Sequence, residues 1–103
     1  MPGTQIYHWS ELPEDSAFGV VKRGVQGQGA SVKQVEVPAG AVADRHSHDH
    51  EQFVIVLDGT GRLECDAGSI ELRPGTVIHF APHAWHSTAF ETRTLLMEVN
   101  LAQ

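Results

Sequence analysis

One cysteine, Cys65, stands in a chain of 103 residues. It cannot close an internal disulfide, so a reducing compartment is the default expectation. Basic residues are scarce: seven Lys plus Arg against thirteen Asp plus Glu, for a formal net charge of −6. A duplex-binding domain carries a basic face, which seven scattered cations do not build, so nucleic acid is not an expected partner. An anionic membrane surface is set aside for the same reason. Long apolar runs are missing too. The longest, Phe53-Val54-Ile55-Val56-Leu57, is far too short to span a bilayer. Met1-Pro2-Gly3-Thr4-Gln5 shows neither a basic n-region nor an apolar h-region, so no secretory signal is expected and the cytoplasm is the expected compartment. Helical stripes are also absent. The nearest candidate, Ser10 to Ser16, carries Pro13 and is too short.

What remains is an ordinary globular balance, 41% hydrophobic and 19% charged. This length makes one domain over residues 1–103, large enough to bury roughly 60 to 70% of its unfolded surface. Apolar and polar residues alternate in short segments. Val35 and Val37 oppose Gln34 and Glu36, Leu63 and Cys65 oppose Arg62 and Glu64, and Ile70 and Leu72 oppose Ser69 and Glu71. Leu95, Met97, Val99 and Leu101 oppose Thr94, Glu98 and Asn100. Period two belongs to half-buried strands. The run from Phe53 to Leu57 is apolar on both faces, as in a central strand. Many short strands separated by turns predict an all-β sandwich or barrel.

Two turns are legible. Asp58-Gly59-Thr60-Gly61 reads as a hairpin connection. Arg73-Pro74-Gly75-Thr76 places proline where φ is fixed and glycine where φ can be positive, as a tight turn requires.

Seven histidines equal the Lys and Arg combined. His46-Ser47-His48 sets two imidazoles two residues apart, and on a strand such residues share a face. Gln52 follows at the start of the apolar strand, and His86 lies after the turn-like Ala81-Pro82-His83-Ala84. Neutral imidazole suits Zn, Fe, Ni, Cu and Mn. Three imidazoles from two strands leave room for water or substrate on a metal, as in catalytic sites.

The spacing Gly40-x5-His46-x-His48-x3-Gln52-x6-Gly59 resembles the first motif of the cupin superfamily. Gly68-x5-Pro74-Gly75, followed by Pro82 and His86, resembles the second. The motif core runs from residue 40 to 86. The resemblance implies a single-domain jelly-roll barrel. It also implies one divalent transition metal ion (Ni, Fe, Mn, Zn or Cu) held by His46, His48, Gln52 and His86. The family usually has Glu where this chain has Gln52. Assigning the adjacent Glu51 instead would turn the side chain to the other face. A neutral amide oxygen in place of carboxylate favours Lewis-acid over redox chemistry. The string from His46 to Gln52 also resembles a cupin subgroup with three His and one Gln, whose members include enzymes that linearise unsaturated uronates.

Around that set, His79 is a candidate general acid or base lining the cavity, or an exposed histidine. Arg62 is the candidate catalytic partner for a substrate carboxylate, with Arg45 and Arg23 as alternatives. His50 either orients a ligand or lies at the surface. Cys65 reads as a small buried hydrophobe, and Phe53, Phe90, Met97 and Trp85 read as core. The strand-like Ile6-Tyr7-His8-Trp9 suggests packing on a second subunit, hence a homodimer. The expected function is a metal-dependent enzyme on a small oxygenated or carbohydrate-derived acid, uronate ring opening being the specific instance. A metal-dependent dioxygenase and a non-catalytic sensor of small molecules are the alternatives.

Overall fold

The computed structural model describes residues 3–102; Met1 and Pro2, at the start of the stretch read for a secretory signal, and Gln103 lie outside the described residues. After a 3-10 turn at Trp9–Glu11, the described residues form ten strands. They are β1 (Asp15–Ala17), β2 (Val20–Gln26), β3 (Ala30–Val37), β4 (Val42–His46), β5 (Gln52–Asp58), β6 (Gly61–Cys65), β7 (Gly68–Leu72), β8 (Val77–Phe80), β9 (His86–Phe90) and β10 (Thr94–Leu101). One sheet has the order β1-β2-β3-β10-β5-β8 and the other β4-β9-β6-β7. Every pairing is antiparallel. This is the expected all-β jelly roll, with two facing sheets rather than one closed hydrogen-bonded barrel.

The alternation sets the core. Val35, Val37, Val56, Phe80 and Leu96 from the larger sheet meet Leu63, Leu72 and Phe90 from the smaller one. Each such side chain contributes roughly 1.5–3 kcal/mol by leaving water. The strand β5 lies inside its sheet, between β10 and β8; Val54 and Val56 face the interior, while Leu57 on the outer face is 43% exposed.

Three local expectations change. Asp58 to Gly61 is not a hairpin, because β5 and β6 belong to different sheets. A type I′ hairpin needs positive φ at both central residues, and only Gly59 (φ 100°) has it. Thr60 instead anchors the crossing: its N–H donates to Thr92 Oγ1 at 2.9 Å and its carbonyl accepts from Glu91 N–H at 3.0 Å. Residues 6 to 8 form no strand, since β1 occupies the edge of β2 that would receive them; Ile6 is 80% exposed. Along β10 the period is right and the faces are exchanged. Thr94 and Leu96 are buried between the sheets, so Glu98 and Asn100 continue their inner row, while Leu95, Met97 and Val99 face outward. Phe53 and Met97, expected in the core, lie half-buried on this outer face. The Arg73–Thr76 turn forms as expected, with Gly75 at φ 91° and Thr76 N–H donating to Arg73 O at 3.0 Å.

Candidate metal centre

The inner face is apolar at one end and polar at the other. Between the sheets lies a cavity of about 240 Å³, which opens into a polar mouth of about 600 Å³. His46, His48, Gln52, Lys22 and Glu98 line both hollows.

Strand register assembles the histidines. His46 on β4 and His86 on β9 are cross-strand partners, and their ring centroids are 4.2 Å apart. A register shift between Ala43 and His46 re-aims the end of β4, as bulges do beside functional sites. His48 lies just past β4, with its ring centroid 5.0 Å from that of His46 and 5.6 Å from that of His86. The loop carrying it is pinned by the His83 N–H, which donates to His48 O at 2.6 Å. His83 holds φ 69° at the turn closed by the Ala84 N–H to Ala81 O bond. Nitrogens of His46, His48 and His86 all lie within 4.8 Å of one another. Imidazole nitrogens about 2.1 Å from one ion sit about 3.0 to 3.4 Å apart at octahedral or tetrahedral angles, so modest side-chain adjustment brings the three onto a single ion.

The remaining ring atoms fit that role. His46 Nδ1 meets Asp44 O at 2.7 Å and His86 Nδ1 meets Ala84 O at 3.3 Å. Each backbone carbonyl accepts the Nδ1–H and leaves Nε2 as the unprotonated donor, as is usual for metal-ligating histidines. The His86 ring stacks on Phe80 at 4.0 Å, which fixes its plane. Burial, and then the neighbouring His46, push the His86 pKa below the ordinary histidine value. His48 is lowered by burial, then by His46 and His50, against the opposing pull of Glu98 and Asp49. Both shifts favour the neutral, ligating form.

Gln52 is 5% exposed and begins β5. Its Nε2 donates to Asn100 Oδ1 at 2.9 Å. That bond fixes the amide with Oε1 directed away from Asn100, and Gln52 lines the hollow beside His46 and His48. His50 Nε2 meets the same Asn100 oxygen at 3.0 Å, so His50 belongs to the support of the site rather than to the open surface.

His79 and Arg62 are placed elsewhere. On β8, Phe80 is buried and Ile78 half-buried, both lining the cavity, while His79 is exposed on the opposite face. There its Nε2 meets Glu51 Oε2 at 2.5 Å and its ring lies 4.8 Å from Phe53. Arg62 is exposed on the outer face of β6, donating to Ser69 Oγ at 3.2 Å, whereas Leu63 points inward. Neither lines the cavity or its mouth. Arg45 covers Trp85 at 4.0 Å, and Arg23 pairs with Glu14. Lys22, Lys33, Glu98 and Asn100 line the mouth instead. The signal for Glu98 and Asn100 is the polar row of β10, which shows the same alternation whether it faces a polar interior or solvent.

The Cupin domain family model matches residues 33–99. The chain belongs to the cupin family. Its fold is that of several solved cupins. An RmlC-like cupin from Shewanella frigidimarina superposes with a TM-score of 0.88 at 17% identity, over 98% of this chain and 93% of that one. KdgF from a Halomonas species gives 0.86 at 20% identity, over 96% and 95%. Ectoine synthase from P. lautus gives 0.86 at 18% identity, over 95% and 78%. No curated protein sequence matches this cupin significantly.

Proposed function

We propose that this cupin is a metal-dependent enzyme acting on a small oxygenated or carbohydrate-derived acid, with uronate ring opening as the specific reaction. The observation that carries it is the convergence of His46, His48 and His86 beside Gln52, at a cavity open to solvent and large enough for a small molecule. A divalent ion held by these four side chains would supply Lewis-acid polarisation of carbonyl or hydroxyl oxygens. The donor set is neutral, so the charge of the bound ion stays uncompensated, which favours polarisation over oxidation chemistry. Glu98 faces the same hollow and is the carboxylate placed to move a proton. The residues Val54, Val56 and Leu96 make the deep side of the cavity apolar.

The resemblance of the string from His46 to Gln52 to uronate-linearising cupins supports the substrate. The test follows the absorbance of a 4,5-unsaturated uronate while oxygen uptake is recorded. Loss of the chromophore without oxygen uptake is the expected result. Oxygen consumption would favour a dioxygenase, and binding without turnover a sensor. The outer row of Leu95, Met97 and Val99 supports a homodimer, which light scattering on the eluted protein tests.

A further inference from the structure

One wall of the mouth carries cations that the metal centre does not use. Lys22 on β2 and Lys33 on β3 both line it. The register fixes their place on the inner face. Lys22 is the cross-strand partner of the buried Val35, and Lys33 lies between Gly24 on one side and Glu98 on the other. The glycine makes room: a Cβ at Gly24 would come within 3.1 Å of Lys33 Cγ. The Lys33 stem therefore lies across the bare backbone of β2, with the side chain half-buried.

Among the described residues neither ammonium has a carboxylate within ion-pair distance; the arginine pairs Arg23–Glu14 and Arg93–Glu36 lie elsewhere. Long lysine stems cover apolar surface while their heads seek polar partners. Two such heads outnumber the one carboxylate of this wall, Glu98, in a chain of net charge −6. The facing wall holds His46 and His48 with the second carboxylate of the mouth, Asp49.

We propose that Lys22 and Lys33 form the subsite for the carboxylate of an acidic ligand whose other oxygens reach the histidines. The subsite rests on the proposed function for what lies at the histidine end. It selects acids over neutral analogues of the same shape. Point-charge ammonium groups bind a carboxylate without fixing its plane, which suits a small acid that must turn over the site.

The test compares galacturonate with its methyl ester by isothermal titration calorimetry on the full chain, with metal content measured on the same samples. The native protein should prefer the acid by about tenfold or more, the scale of a charge-assisted contact. Lys22→Gln/Lys33→Gln should bind the ester as before and lose the preference. Lys22→Arg/Lys33→Arg should keep it. If the double variant fails to fold, the exposed Lys22→Gln alone should reduce the preference about threefold. Equal binding of acid and ester by the native protein, no binding of galacturonate, or a preference that survives removal of the lysine charges overturns the subsite. Absence of metal from the native protein would count against the metal centre and not against the lysines, which are judged by the acid-to-ester ratio.

Discussion

Asn100 and Gln52 are cross-strand partners of β10 and β5, and the Gln52 amide donates to Asn100 Oδ1 at 2.9 Å. His50 Nε2 reaches the same oxygen at 3.0 Å. One acceptor thus orients a proposed ligand and braces the loop between His48 and Gln52. Replacing Asn100 by Ala removes it without touching any ligand. Metal affinity should fall about 10- to 100-fold, the usual cost of losing such a partner, with the strand content unchanged. Competition with a chromogenic chelator measures this; an unchanged affinity would remove Asn100 from the account.

The structure moves His79 and Arg62 out of the cavity to exposed positions on the outer faces of their sheets. His79→Ala and Arg62→Ala should each retain full metal content. His79→Ala should cost little stability, because its partner Glu51 is solvent-accessible and exposed ion pairs contribute about 0 to 1 kcal/mol. Metal analysis and thermal melts of the two variants check both statements.

How much of this was legible in the sequence depends on the kind of signal. Period two was enough for β3, β6 and β7, where Val35, Leu63 and Leu72 are buried as expected. The spacing His46-x-His48, with Gln52 and His86, selected the residues that register brings together. Alternation alone did not say which row of β10 faces the cavity, because Glu98 and Asn100 line a polar mouth inside the fold. The same ambiguity leaves His79 open between cavity and surface, and Ile78 and Phe80 prove to be the inward residues of β8. The Asp58–Gly61 connection was misread because a glycine turn between two strand patterns does not reveal whether the second strand returns to the same sheet.

That connection yields a stability prediction. Gly59 has φ 100°, and a Cβ there would lie 2.6 Å from both Arg93 O and Thr94 Cα. Gly40 also has positive φ, 82°, but a Cβ would meet nothing within 4 Å. Gly40→Ala should cost about 1 kcal/mol from backbone strain alone. Gly59→Ala should cost at least about 2 kcal/mol more, because backbone must move. Urea unfolding of the two variants gives the comparison, and equal losses would contradict the close approach.

Acid should destabilise the metal-free protein. The His48 and His86 pKa values are lowered in the fold, chiefly by burial, below the unfolded value of about 6.5. The unfolded chain therefore binds protons first as pH falls. Stability from this source is complete above about pH 6.5 and is lost as pH drops through the lowered folded values. Melting temperatures of metal-free protein should decline from about pH 7 to pH 5, and His86→Phe should flatten the decline. A native profile no steeper than that of the variant would contradict the assignment.

The proposed centre holds one metal ion between three histidines and one glutamine. Mass spectrometric metal analysis of untagged protein, beside His48→Ala and His86→Ala, is the decisive measurement. About one transition metal ion per native chain is expected, with little or none in either variant. No metal in the native protein after supply of Ni, Fe, Mn, Zn and Cu, or full metal content in His86→Ala, would contradict it.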